Sequence, residues 1–206
     1  MTRKEEILRA TLDLAAEQGL QAVTLSQIAE RVGMRKPSLY NHFASKDEIV
    51  EEAYRFLRKQ SQERNGAPVV DHAARFEGRT LEEILLGFFD QYRSFVLDED
   101  LMRFWRVLYA ERSHNPIAAQ IMVDETEHMV RQVKALFYAL VAHELMQCDD
   151  VDMAALSFAM TVHALVDYQL DKLGAQGAWP SDDPSAFREV RDYIVWFARK
   201  AVSDHA

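Results

Sequence analysis

Four times in 206 residues a Ser or Thr stands three positions ahead of a Glu or Gln at the head of an apolar-periodic run. The segments are Thr2-Arg3-Lys4-Glu5, Thr24-Leu25-Ser26-Gln27, Ser45-Lys46-Asp47-Glu48 and Thr80-Leu81-Glu82-Glu83. In such a box the hydroxyl oxygen accepts the third helical N–H while the acid or amide reaches back to the capping residue's own N–H. Two donors that a helix start leaves without partners are thereby satisfied. Val23 and Ile28 flank the second box as a hydrophobic staple would require. Asn115-Pro116 and Asp183-Pro184 offer a cap followed by proline at the first helical position. Strand-like alternation is scarce, and glycine and proline fall between the periodic runs, so the chain is constrained to an all-α fold.

Period and stop signals predict helices over about 3–18, 25–32, 36–43, 46–63, 81–97, 100–113, 116–146, 151–173 and 184–203. The first buries Ile7, Leu8, Thr11, Leu14 and Ala15, and Gly19 supplies its left-handed terminus. Residues 65–79 hold two glycines and a proline and read as the boundary between an N-terminal and a C-terminal part, with Val69, Val70 and Phe76 able to pack.

Cys148 is the sole cysteine, which excludes an intramolecular disulfide. No run approaches the ~18 apolar residues of a membrane span, and the N-terminus lacks a secretory apolar stretch. A cytoplasmic protein without a membrane partner is expected. The net charge of -9 argues against nucleic acid until it is mapped along the chain. Residues 1–64 carry 11 Lys+Arg against 10 Asp+Glu, whereas residues 65–206 carry 13 against 23. A nucleic-acid contact would therefore need a local basic patch in the first third.

The segment Val32-Gly33-Met34-Arg35-Lys36-Pro37-Ser38-Leu39-Tyr40-Asn41-His42-Phe43 supplies one. Two short helices joined across residues 32–35 suggest a helix-turn-helix, whose second helix enters the major groove N-terminus first. Arg35 and Lys36 then stand at the groove-facing end, and the positive helix terminus favours phosphate. Pro37 fixes the start of the helix. Ser38 and Asn41 can bond bases or phosphate, Tyr40 and His42 can donate to phosphate oxygens, and Leu39 and Phe43 hold the helix to the core. The plainer reading is a solvated turn between core helices.

Residues 3–50 resemble the N-terminal DNA-binding domain of the TetR family of transcriptional repressors. The resemblance lies in Ile7-Leu8, Ala15, Gly19, Thr24, Ile28-Ala29, Val32-Gly33, Leu39-Tyr40, His42-Phe43, Lys46 and Ile49, and covers about a quarter of the chain. It implies a DNA-binding domain at residues 1–47, a linking helix at 46–63, and an effector-binding and dimerisation domain at 64–206. By position it implies phosphate contacts from Thr24, Tyr40, His42 and Lys46, and base contacts from Arg35, Lys36, Pro37 and Ser38. The chain departs from the family pattern at Met34-Arg35, where a Ser or Thr often caps the recognition helix. The basic pair favours guanine, whose O6 and N7 suit Arg and Lys.

In the body, Phe88, Phe89, Tyr92 and Phe95 are followed by Phe104, Trp105 and Tyr109, with Met102, Met122, Met129 and Phe137 further on. Effector pockets are largely apolar with a few polar anchors. The expected ligand-binding set is Phe88, Tyr92, Phe95, Trp105, Tyr109, Met122, His128, Phe137 and His163, with Gln91 and Glu125 as further polar candidates. Ordinary bundle core is the plainer reading of each taken singly. Glu125 and His128 have carboxylate–histidine spacing, but no second such pair appears, so neither a metal nor any other cofactor is expected. Leu156, Ala159, His163, Val166, Leu170 and Leu173 form one stripe, and Phe158, Val162 and Leu165 another. A helix apolar on two sides needs two partners. With Phe187, Val190, Ile194, Phe197 and Ala201, helices 151–173 and 184–203 are expected to form a homodimer interface.

The expected function is a ligand-responsive regulator, a repressor that binds a palindromic operator as a homodimer and is released by a small-molecule effector. It is not expected to be an enzyme, because no nucleophile motif or phosphate-cradling glycine loop is present. The alternatives are an all-helical enzyme with a vestigial helix-turn-helix and a DNA-binding regulator without effector control.

Overall fold

The computed structural model describes residues 2–65, 76–178 and 184–202. Val69, Val70 and the Asp183 cap expected above lie outside them. The described residues form α1 (Arg3–Gln18), α2 (Leu25–Arg31), α3 (Lys36–Leu39), α4 (Lys46–Asn65), α5 (Leu81–Val96), α6 (Glu99–Glu111), α7 (Pro116–Ala142), α8 (Val151–Ala175), a 3-10 turn (Pro184–Phe187) and α9 (Arg188–Val202), with no strand among them. The fold is all-α.

The capping boxes at Thr2, Thr24 and Thr80 form with both reciprocal bonds. The box at Ser45 forms by half. Its hydroxyl accepts the Glu48 N–H at 3.1 Å, but the Glu48 carboxylate takes the N–H of Ala44 instead of that of Ser45. Asp98, Asn115 and Asp150 cap α6, α7 and α8 with their carboxylate or amide oxygens.

Three ends differ from the sequence reading by more than two residues, each for a local reason. Helix α3 stops at Leu39 because the next N–H groups turn back by three residues, Asn41 to Ser38 and His42 to Leu39, and the chain then delivers Phe43 to the core. The helix expected from 184 opens as a 3-10 turn, and its α-helical part begins at Arg188. Helix α7 ends at Ala142 because Glu144 takes a left-handed conformation, φ 58. The N–H of Leu145 reaches Leu140 O and that of Glu144 reaches Val141 O, the Schellman pattern that usually employs glycine. Left-handed backbone costs a residue with a Cβ about 1 kcal/mol or more. Glu144→Gly is therefore expected to stabilise the protein by about 0.5–1 kcal/mol, read as a raised urea midpoint at unchanged m value.

The chain packs as two compact units, Met1–Ala67 with Asp98–Asp124, and Pro68–Leu97 with Glu125–Ala206. In the first, α1 packs on α2, α4 and α6, and α2 on α3. Its core joins Ile7, Leu8, Leu14 and Ala15 of α1 to Val23, Ile28, Leu39, Phe43 and Ile49, and it also takes in Val107 of α6. Burial of Thr11 in this core is made tolerable by its hydroxyl, which donates to Ile7 O at 2.8 Å.

In the second unit α5 packs on α9 and α9 on α8. Phe137, Phe158, Tyr193 and Phe197 form a connected aromatic cluster, with Phe137–Phe158 centroids 5.3 Å apart and Phe158–Phe197 4.9 Å. The buried stripe of α8 is Ala155, Phe158, Ala159, Val162 and Val166. The stripe expected through Leu156, Ala159 and Val166 thus straddles two faces. A strict 3.6-residue period turns Ala159 and Val166 into the chain's own core, while Leu156 faces out beside Met153 and Met160.

Candidate nucleic-acid interface

Helix α2 ends with Gly33 at φ 65, its N–H on Glu30 O and the Met34 N–H on Ala29 O at 2.8 Å. A Cβ at Gly33 would meet nothing within 4 Å, so the position needs glycine for its backbone and not for space. This turn throws Arg35 into extended backbone (φ -82, ψ 143) as the capping residue of α3, where no side chain closes the helix end. The departure at Met34-Arg35 thus leaves α3 without a side-chain cap.

Arg35, Lys36, Pro37 and Asn41 are exposed, Ser38 and His42 are half-buried, and Tyr40 is 53% exposed, while Leu39 and Phe43 between them are buried. The apolar pair anchors the segment and the polar residues are left outward. Their surroundings sharpen the picture. Arg3 pairs with Glu6, Arg9 with Asp100, and Arg55 with Glu51 and Glu52. Arg31 donates through both terminal nitrogens to Glu17 at 3.1 and 2.9 Å, which holds the Glu17 carboxyl below its ordinary value through that bond. Lys4 lies over the Phe43 ring at 5.0 Å. Among the described side chains of residues 2–57, Arg35 and Lys36 are the cations that have no carboxylate, carbonyl or ring partner.

Two of the expected phosphate ligands already have intramolecular work. The Thr24 hydroxyl accepts the Gln27 N–H at 3.2 Å and donates to Gln27 Oε1 at 2.8 Å. Lys46 is half-buried, and its ammonium donates to Leu20 O at 2.6 Å and Gln21 O at 3.4 Å. Partial burial draws the Lys46 pKa down, opposed by the charges of Asp47 and Glu111. An ammonium has three N–H donors, so one of them remains. Sequence reasoning placed Lys46 at the interface but gave no sign of the carbonyls it ties, because they lie in another turn.

The expected ligand residues divide between the units. Trp105, Tyr109 and Met122 belong to the first. There Trp105 stands 6.0 Å from Tyr54 and 6.4 Å from Tyr109, whose ring also carries Arg112 at 4.8 Å. Phe88, Tyr92, Phe95, His128, Phe137 and His163 belong to the second. Phe137 is fully buried within the aromatic cluster and reaches no solvent. Tyr92 and His163 are brought together, with the hydroxyl 3.0 Å from Nδ1, and His163 Nε2 lies 3.6 Å from Asp167. Asp167 escaped sequence reasoning, although its i,i+4 spacing from His163 was legible. Glu125 is half-buried, and loss of hydration raises its carboxyl to about 7 against the pull of Arg131. Among the described residues no group of three His, Cys, Asp or Glu side chains could hold a metal, and no helix is long and apolar enough to cross a membrane.

Comparison with known proteins bears on this surface directly. Residues 7–53 match the family model for bacterial regulatory proteins of the tetR family. Residues 83–192, more than half of the chain, match that for the C-terminal domain of AefR-like transcriptional repressors. The chain belongs to the TetR family of DNA-binding transcriptional regulators. The transcriptional repressor KstR2 of Mycobacterium tuberculosis is 44% identical over 54 residues, 26% of this chain and 27% of that protein. The match therefore spans about a quarter of that relative's length. The regulator BetI of Klebsiella pneumoniae is 24% identical over 84% of this chain and 88% of its own. Among solved structures, the flavonoid-responsive regulator FrrA superposes with a TM-score of 0.73 at 24% identity, covering 98% of each chain. A TetR-family regulator from Mesorhizobium loti gives 0.73 at 19% identity, covering 96% of this chain and 97% of that one.

Proposed function

We propose that this regulator is an effector-released repressor that binds a near-palindromic operator as a homodimer. One observation carries the docking geometry. The described cations of residues 2–57 are tied down except Arg35 and Lys36, which stand exposed at the start of the second helix of a helix-turn-helix. Unpaired cations there lose no internal bond on meeting DNA. Arg35, Lys36, Pro37, Ser38 and Asn41 face the bases, while Tyr40, His42 and the remaining donor of Lys46 meet phosphate. Thr24 reaches phosphate only by giving up the bond it donates to Gln27.

In this reading residues 1–47 are the DNA-binding part, 46–63 the linking helix and 64–206 the effector and dimerisation part, at work in the cytoplasm and without enzymatic activity. The outer face of α8 supports dimerisation. Met153 is 59% exposed, and Leu156, Met160 and Tyr168 are exposed with it, as is Trp196 on α9. Apolar groups of this size cluster on a surface when a partner covers them. The effector anchors on Tyr92 and His163, among Phe88, Phe95 and His128. It releases DNA only if it binds the released conformation more tightly than the operator-bound one.

Selection of bound duplexes from a random pool, followed by sedimentation of the winning duplex with the protein, tests this. A two-fold symmetric sequence carrying an even number of chains is expected. A pool without sequence enrichment, or a chain of 23.7 kDa that stays monomeric at micromolar concentration, would overturn it.

A further inference from the structure

Glu111 is the last residue of α6, and that helix has no basic residue in its final turn. A carboxylate there faces the negative end of the helix dipole, which is unfavourable for its own helix. Its contacts lie elsewhere in the unit. Glu111 Oε1 accepts the N–H of Gln21 at 3.4 Å. The same oxygen is 3.8 Å from where a Cβ on Gly19 would stand. Lys46 donates to the carbonyls of Leu20 and Gln21 in the same turn. The turn Gly19–Gln21 is thus gripped by a carboxylate from α6 on its N–H and an ammonium from α4 on its carbonyls.

This turn governs the interface. Gly19 leaves α1 at φ 82, Leu20 is buried, and Thr24 caps α2 three residues beyond Gln21. The angle at which α2 departs carries α3 with it, because α2 packs on α3. The grip is the far end of a longer seam. Arg9–Asp100 at 4.0 Å and Arg103–Asp13 at 3.6 Å join α1 to α6 in the same chain direction, and Val107 of α6 sits in the shared core.

We propose that Glu111 is a positioning residue for operator binding, holding the Gly19–Gln21 turn and the Lys46 ammonium in the arrangement that presents α3 to DNA without touching DNA itself. The proposal rests on the assignment of the Arg35–His42 surface and Lys46 to DNA.

The test is titration of the selected duplex and a scrambled one against the full-length protein at several salt concentrations. The variants are Glu111→Ala, Glu111→Gln, Lys46→Ala and Glu111→Ala/Lys46→Ala, each used at a temperature where its helical signal is native. Glu111→Ala is expected to weaken operator binding about tenfold, within the range seen for residues that act through others. Its salt slope should stay unchanged, because no phosphate contact is lost. Glu111→Gln keeps an oxygen for the Gln21 N–H and should lose less. In the Lys46→Ala background the Glu111 effect should shrink below about twofold, since contacting groups are not additive. The Gln21 amide proton resonance should move in both Glu111 variants. The proposal fails if Glu111→Ala binds operator as the parent does. It also fails if that variant tightens both duplexes alike, as removal of a merely repulsive charge would, or if the full loss persists in the double variant. If Lys46→Ala leaves both affinity and salt slope unchanged, the interface assignment fails and takes this proposal with it.

Discussion

Arg35→Ala and Lys36→Ala should each weaken operator binding by roughly 1–3 kcal/mol while scrambled DNA is held almost as before. Both side chains are exposed, neither has an internal partner among the described residues, and both lie at the N-terminal end of α3, which the proposed docking turns toward the groove. In the proposed docking their removal therefore subtracts a base contact and nothing from the fold. Lys46→Ala should behave differently. It removes a donor from two carbonyls as well as a charge from the proposed interface, so it should lower melting temperature and weaken both duplexes. The parent's log–log salt slope should be on the order of -5 or steeper, and Lys46→Ala should make it shallower by about one unit per head. Titration of each variant against both duplexes over a salt series separates the two behaviours. If Lys46→Ala altered sequence preference and the basic pair did not, the docking geometry would be wrong.

The second large effect is on stability and its pH dependence. In the folded chain the Glu125 carboxyl is raised from 4.5 to about 7, because half-burial strips its hydration. The folded state therefore holds a proton that the unfolded chain has released across that interval. Stability must fall as pH rises through it, and the penalty is complete above about pH 7 and absent below about pH 4.5. A displacement of that size corresponds to at most about 3 kcal/mol. The side chain keeps some solvent contact, so about 1–2 kcal/mol is the expected yield. Glu125→Gln should stabilise the protein by that amount at pH 8 and hardly at all at pH 4, read from urea unfolding at one fixed protein concentration. An equal gain at both pH values would mean that packing, not charge, separates the two side chains.

Much of the architecture was legible because its signals are short-range. A hydroxyl and a Glu or Gln three residues apart fix a helix start by bonds that close within one turn, and Thr2, Thr24 and Thr80 close them as read. The inward face of α1 follows from its period alone, and Ile7, Leu8, Thr11, Leu14 and Ala15 are all buried. Helix ends were harder. Glu144 adopts a conformation that its side chain disfavours, so no residue type announced the stop. The division of the aromatic residues between two units was also hidden. Periodicity tells that Trp105 and Phe137 face inward but not toward which neighbours.

The sequence by itself determined where α1, α2 and α5 begin, which face of α1 is apolar, and that a basic pair precedes Pro37 in a helix-turn-helix. Those are properties of residues a few positions apart. Only the tertiary structure decided which cations of residues 2–57 have internal partners. Arg31 is neutralised by Glu17 from the neighbouring helix, Arg9 by Asp100 from α6, and Lys46 is turned onto carbonyls of the α1–α2 turn. Each of these depends on packing that brings distant segments within ~4 Å, where charges interact strongly. Arg35 and Lys36 stand at the start of α3, where no carboxylate among the described residues comes within pairing distance, and so their charge remains outward.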